Sequence, residues 1–216
     1  MTMKLVEKTV YDFIAEIASP SPAPGGGSAA AAAGAMGAAL VRMVGHLSVN
    51  KKKFLALPAE IQAEFRDTAE KMDGIRECLV RLVDEDTLSF NRILEAYALP
   101  KGSEADIAER NARIREATLG AIQTPLETAS LVKNVLANLE IVLRYGNRNC
   151  LSDLGVGALL LRAALEGALL NVETNLAEIG DPDVVSGYRT KCAEFLAEGE
   201  AAERRILDEV HRRLEE

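Results

Sequence analysis

Apolar residues recur at three- and four-residue intervals along almost the whole chain, and no segment alternates with the two-residue period of a half-buried strand. The pattern predicts an all-α fold, an elongated helical bundle of about six helices. Val10, Phe13, Ile14 and Ile17 share one helical face behind Thr9, whose hydroxyl can cap the first turn with Asp12 three residues on. Pro58 opens a long helix that Pro100 stops, with an apolar stripe running through Phe65, Met72, Ile75, Leu79 and Leu82 to Phe90, Ile93 and Tyr97. The capping pair Ser103 and Asp106 starts another, extending to Arg144, bent near Pro125 and ended by Gly146. Behind Ser152 as a cap, a helix from about Asp153 to Ile179 is apolar over most of its circumference, which predicts burial on several sides. Asp181, Pro182 and Asp183 open the last helix, whose inner stripe is Val185, Tyr188, Cys192, Phe195, Ala202, Ile206 and Val210.

The segment from Ser19 to Val41 carries no charge and changes character midway. Pro20, Pro22 and Pro24 stiffen the approach, Gly25, Gly26 and Gly27 follow, and Ser28 stands where it can cap an alanine-rich helix. Without Cβ atoms, these glycines let backbone N–H groups approach a polar or anionic ligand, and they can supply left-handed backbone if the turn needs it. The alternative is packing. Small residues at Ala30, Ala33, Gly34, Gly37 and Ala38 allow neighbouring helices to come very close, which predicts a central helix. A membrane span is not expected, because alanine and glycine supply little hydrophobicity and Arg42 and Lys51 to Lys53 follow at once. Nor is a secretory leader, since Thr9 to Ser19 reads as an amphipathic helix carrying Asp12 and Glu16.

At 216 residues and 23.2 kDa, residues 1–216 fit one domain. A formal net charge of -8, with both signs interspersed, argues against nucleic acid or an anionic membrane as partner. The odd set Cys78, Cys150 and Cys192 fits reduced thiols in a cytoplasm, and two histidines leave little with which to hold a metal. No cofactor is expected.

Asp86 breaks the stripe of the Pro58–Leu99 helix. It stands four residues after Leu82 and four before Phe90, beside core positions rather than on the solvated face with Glu77 and Glu95. Burial there would raise its pKa toward values useful for giving and taking protons; the alternative is a carboxylate bonded to a donor on a neighbouring helix. Asp153 next to Ser152, and Asn171 and Asn175 one turn apart, also interrupt apolar surfaces. Asp153 and Asn171 lie roughly 27 Å apart along one helix, so they cannot meet at one small reacting centre. Lys51 to Lys53 suit either a solvated loop or a polyanionic tail.

The stretches PAPGGGSAAA from Pro22, LVDEDTLSFNRILEAYALPK ending at Lys101, GNRNCLSDLGVGALL from Gly146 and NVETNL at Asn171 resemble the folate-dependent cyclodeaminase and cyclohydrolase enzymes, along nearly the whole chain. The resemblance implies an all-helical homodimer or higher assembly. It implies cyclisation of 5-formiminotetrahydrofolate to 5,10-methenyltetrahydrofolate with loss of ammonia, or, as the alternative, hydrolysis of the methenyl compound to 10-formyltetrahydrofolate. A tetrahydrofolate derivative is then the substrate, with no metal or redox cofactor. Asp86 takes the position of the family's active-site acid, while Gly25, Gly26, Gly27, Ser28, Lys101, Ser152, Asp153 and Asn171 are carried over as substrate-binding positions. Asp84 and Glu85 flank that acid, and periodicity selects Asp86 among the three. A reading from another class is a non-catalytic helical dimer that binds folate or scaffolds a partner.

Overall fold

The computed structural model describes residues 3–216. Eight α-helices run in chain order: α1 (Val10–Ile17), α2 (Gly26–Ser48), α3 (Lys52–Leu55), α4 (Ala59–Tyr97), α5 (Glu104–Ala137), α6 (Leu139–Tyr145), α7 (Leu151–Leu176) and α8 (Pro182–Leu214). Single 3₁₀ turns lie at Leu5–Glu7 and Arg148–Cys150. Among the described residues there is no strand. α2 packs on α7 and α4, α5 closes the other side of α4 and α7, and α8 covers the outer side of α7 and α5.

Several ends are set by the residues the pattern selects. Thr9 caps α1 by accepting from the N–H of Asp12, Ser103 and Asp106 form a reciprocal capping box on α5, and Asp181 accepts from two amides at the start of α8. Others differ. α2 begins two residues before Ser28, with Gly25 at the cap, so Ser28 is not its cap and its hydroxyl is free for other work. Ser152 does not cap α7 either: the 3₁₀ turn before it is capped by Asn147, and Ser152 sits exposed in the first turn. α5 passes through Pro125 without a break, and the interruption falls at Asn138. Lys51 to Lys53 flank and enter the short α3, all three exposed.

α2 can be central because its packed face is made mostly of glycine and alanine. A Cβ on Gly34 would meet Val132 of α5 at 2.8 Å, Ala164 of α7 at 3.4 Å and Leu79 of α4 at 3.5 Å, so four helices converge on one hydrogen-sized gap. On Gly37 it would meet Leu161 at 2.7 Å and the carbonyl of Gly157 at 3.0 Å. No described glycine has left-handed backbone; proximity, not torsion, is what these positions require. Ala38, Val41, Ala158, Leu161, Leu165 and Val172 are fully enclosed at the α2–α7 seam and beyond it. The outward faces are still apolar, with Met36, Leu47, Val156, Leu159 and Leu170 about half exposed. By length and composition, Gly26–Ser48 and Arg148–Leu176 could each cross a membrane; here 56% and 50% of their apolar windows are buried in the bundle.

Candidate active site

The start of α2 is straddled by two side chains from other helices. A Cβ placed on Gly27 would fall 2.0 Å from Oδ1 of Asp86, which arrives from α4. One placed on Gly26 would fall 3.3 Å from the amide nitrogen of Asn171, which arrives from α7. Between them opens a cleft of about 210 Å³. Its floor is Pro22 to Gly27, a loop containing a cis Ala23–Pro24 peptide bond. α4 contributes Asp86, Ser89, Phe90 and Ile93; α5 contributes Ala121; α7 contributes Asn171, Thr174 and Asn175.

Asp84, Glu85 and Asp86 have separate surroundings because each helical step turns about 100°. Asp84 accepts from the backbone N–H of Leu5 at 2.6 Å, tying the N-terminal 3₁₀ turn to α4. Glu85 pairs with Arg92 at 2.8 Å on the surface. Asp86 alone faces the cleft, half-buried. Burial pushes its carboxyl above the ordinary aspartate range, while hydrogen bonds from the hydroxyl and backbone N–H of Ser28 pull the other way without cancelling the rise.

Ser28 is fully buried, and its Oγ lies 2.8 Å from the carbonyl of Val83 and 3.1 Å from Oδ2 of Asp86. One hydroxyl proton serves one acceptor at a time. With Asp86 ionised, Ser28 can donate to the carboxylate; with Asp86 protonated, the carboxyl can donate to Oγ while Ser28 donates to Val83. Both protonation states therefore have a complete hydrogen-bond arrangement, which is what a group that gives and takes a proton needs.

Ser89 and Ala121 also line a larger groove of about 570 Å³ between α4 and α5. Ala96, Leu99 and Ala117 line it, with Arg92 and Arg113 among Glu95, Glu109 and Glu116. Ser89, common to both linings, is buried, its hydroxyl 3.1 Å from that of Thr124.

The residues singled out in the sequence fall into two groups. Gly25, Gly26, Gly27, Asp86 and Asn171 line the cleft, and Ser28 supports Asp86 from beneath. Ser152 and Asp153 do not belong to it: they stand in the first turn of α7, about 27 Å along the helix from Asn171. Asp153 is close enough to Cys150 for its charge to reinforce the rise in thiol pKa that burial causes. Lys101 is exposed in the α4–α5 turn, just beyond Leu99, and lines neither space. Ser89, Phe90, Ile93 and Thr174 are cleft residues that fall inside the family-like stretches without having been selected as site residues, and Ala121 falls outside those stretches; the i, i+3, i+4, i+7 spacing of Asp86, Ser89, Phe90 and Ile93 was the available signal. Among the described residues, no three His, Cys, Asp or Glu side chains converge as a metal-binding set.

Comparison with known proteins gives this geometry a family context. The methenyltetrahydrofolate cyclohydrolase of Methylorubrum extorquens is 37% identical over 203 residues, covering 94% of this chain and 96% of that protein. The formimidoyltransferase-cyclodeaminase of Sus scrofa is 33% identical over 209 residues, covering 97% of this chain but 38% of the longer protein. The crystal structure of formiminotetrahydrofolate cyclodeaminase from Thermotoga maritima superposes with a TM-score of 0.76 at 28% identity, covering 96% of both chains. Residues 9–194 match the sequence profile of formiminotransferase-cyclodeaminase, and the chain belongs to that family.

Proposed function

We propose that the chain is a folate enzyme acting on the one-carbon bridge between N5 and N10 of tetrahydrofolate, and that its reaction is hydrolysis of 5,10-methenyltetrahydrofolate to 10-formyltetrahydrofolate. The half-buried Asp86 carboxyl, held by Ser28 at the cleft floor with a raised pKa, carries the reading. The match to the Methylorubrum cyclohydrolase along its whole length favours hydrolysis over the cyclodeamination preferred from sequence alone.

Water adds to the cationic bridge carbon, and Asp86 as carboxylate takes one of its protons. The neutral carbinol then collapses: the C–N5 bond breaks, protonated Asp86 returns its proton to N5, and the hydroxyl proton leaves to solvent as the formyl C=O forms on N10. The balance is one water consumed and one proton released. Before attack, the carboxylate also stabilises the cation across a short, partly desolvated gap. The apolar walls Phe90 and Ile93 suit the flat rings, and the groove toward Arg92 and Arg113 gives the aminobenzoyl-glutamate tail a path outward.

Cyclodeamination is the second reading, favoured by the Thermotoga structure. N10 would attack the carbon of the protonated formimino group, an amidinium, with Asp86 carrying the N10 proton to the amino nitrogen, which then departs as ammonia and leaves the methenyl cation. The half-exposed apolar faces of α2 and α7 support a homodimer as the working assembly.

The test follows the absorbance of the methenyl chromophore with purified protein. Its loss from 5,10-methenyltetrahydrofolate faster than in buffer supports hydrolysis, and its appearance from 5-formiminotetrahydrofolate supports cyclodeamination. No acceleration of either would remove the enzymatic reading and leave the binding or scaffold alternative.

A further inference from the structure

Pro125 sits in the middle of α5 and has no N–H to donate to the carbonyl of Ala121 one turn earlier. A side chain of another helix fills the vacancy: Nδ2 of Asn175, on α7, donates to that carbonyl at 3.2 Å. One turn back on α7, Nδ2 of Asn171 donates to the carbonyl of Gly167 at 2.8 Å. Both amides are thereby fixed in orientation, since turning either one would set oxygen against oxygen. Both residues line the cleft, and among the described residues neither Oδ1 accepts a hydrogen bond. Both Oδ1 atoms are therefore left as acceptors of fixed orientation, about 5–6 Å apart along the helix, on residues that line the same cleft as Asp86.

We propose that Asn171 and Asn175 form an acceptor ledge that recognises the N–H edge of the reduced pterin ring. This rests on the folate reading. The edge of a tetrahydropterin presents N8–H and the 2-amino group as donors on either side of the acceptor N1, with N3–H beyond, and N5 lies on the opposite side of its ring from N8. Gripping the donor edge on α7 turns N5 and its one-carbon substituent toward α4. That is the side from which Asp86 enters, since Asp86 and Asn171 approach the start of α2 from different flanks. Pro125, which touches no ligand, acts as a positioning residue by keeping the Ala121 carbonyl available to Asn175.

The probes are two substrate fragments, 6,7-dimethyltetrahydropterin and p-aminobenzoylglutamate, titrated calorimetrically against wild type, Asn171→Leu and Asn175→Leu. The pterin fragment should bind about 10-fold more weakly to each variant, as expected for a lost hydrogen bond, with the tail fragment unchanged. Because a leucine could disturb folding, the ligand is also varied against wild type: a 2-desamino tetrahydropterin, which lacks the amino donor and keeps N1 as an acceptor, should lose about 10-fold in affinity. Pro125→Ala, which restores an N–H for Ala121, should raise KM for the folate substrate while leaving kcat within about twofold. Equal affinity of wild type for the amino and desamino pterins, or equal weakening of both fragments in the variants, overturns the ledge even if the enzyme turns over folate. Failure of wild type to bind either fragment or to act on either folate overturns the folate reading, and the ledge with it.

Discussion

Gly27 and Asp86 share a space that admits only one of them: the Cβ that any other residue would carry at position 27 falls 2.0 Å from the Asp86 carboxylate oxygen. The glycine leaves the room the carboxylate occupies. Gly27→Ala should therefore displace Asp86 and lower kcat about 100-fold, the scale of lost general acid–base catalysis, with the helical circular-dichroism signal retained. An alanine variant with near wild-type turnover would show that Asp86 need not stand there.

Asp86→Asn keeps the shape but cannot carry a proton, so kcat should again fall about 100-fold or more. Asp84→Asn and Glu85→Gln should remain within a few-fold of wild type, because those carboxylates bond Leu5 and Arg92 outside the cleft. Steady-state rates of the three variants decide it, and a dead Asp84→Asn beside an active Asp86→Asn would reverse the assignment.

The same substitution has an opposite effect on stability. A folded-state pKa raised by burial means that the ionised carboxylate is the disfavoured form, so its contribution is fully present below the unfolded pKa and is lost as pH rises through the folded one. Asp86→Asn removes that loss. It should melt higher than wild type at neutral pH, by about 2–4 °C per kcal/mol relieved, and the difference should shrink as pH falls below the ordinary aspartate range. Equal melting temperatures from pH 3 to pH 8 would contradict a raised pKa.

Two glycines in helix interiors should respond to alanine with opposite signs. At Gly37 the new Cβ meets Leu161 at 2.7 Å and a backbone oxygen at 3.0 Å, which should cost about 1–3 kcal/mol of overpacking. At Gly74 it meets nothing within 4 Å, so Gly74→Ala should gain about 0.5–1 kcal/mol from helix propensity alone. Urea unfolding of the pair is the measurement; a stabilised Gly37→Ala would mean that α2 and α7 are less tightly seated.

The exposed Val156 and Leu159 on α7 test the proposed assembly. Wild type should sediment as a dimer at micromolar concentration, and the double change Val156→Glu, Leu159→Glu should shift it to monomer. A monomeric wild type would remove the proposal.

Helix periodicity carried most of the fold, because the stripe positions Phe65, Met72, Leu79 and Leu82 are also the buried ones. It also found Asp86, since a carboxylate on an apolar stripe is visible in one dimension. It misplaced the starts of α2 and α7 because Ser28 and Ser152 have the right chemistry for caps, and only tertiary contacts reveal that Ser28 serves Asp86 instead. The separation of Ser152, Asp153 and Lys101 from the cleft was half legible: rise per residue put Asp153 far from Asn171, but nothing local says which end holds the cleft. The tie between Pro125 and Asn175 joins positions 50 residues apart, through a carbonyl that any residue at 121 would supply. No side-chain pattern encodes it.

α4 runs through 39 residues without proline or interruption, about 58 Å of continuous helix. Along such a rod, one residue added or removed rotates everything on one side of the change by about 100° relative to the other. A single deletion between Phe65 and Asp86 would thus bring a neighbouring side chain into the cleft while unseating the stripe. Length variation among related chains should accordingly gather in the Pro100–Ser103 connection and at the end of α8, leaving the spacing from Phe65 to Ile93 unchanged.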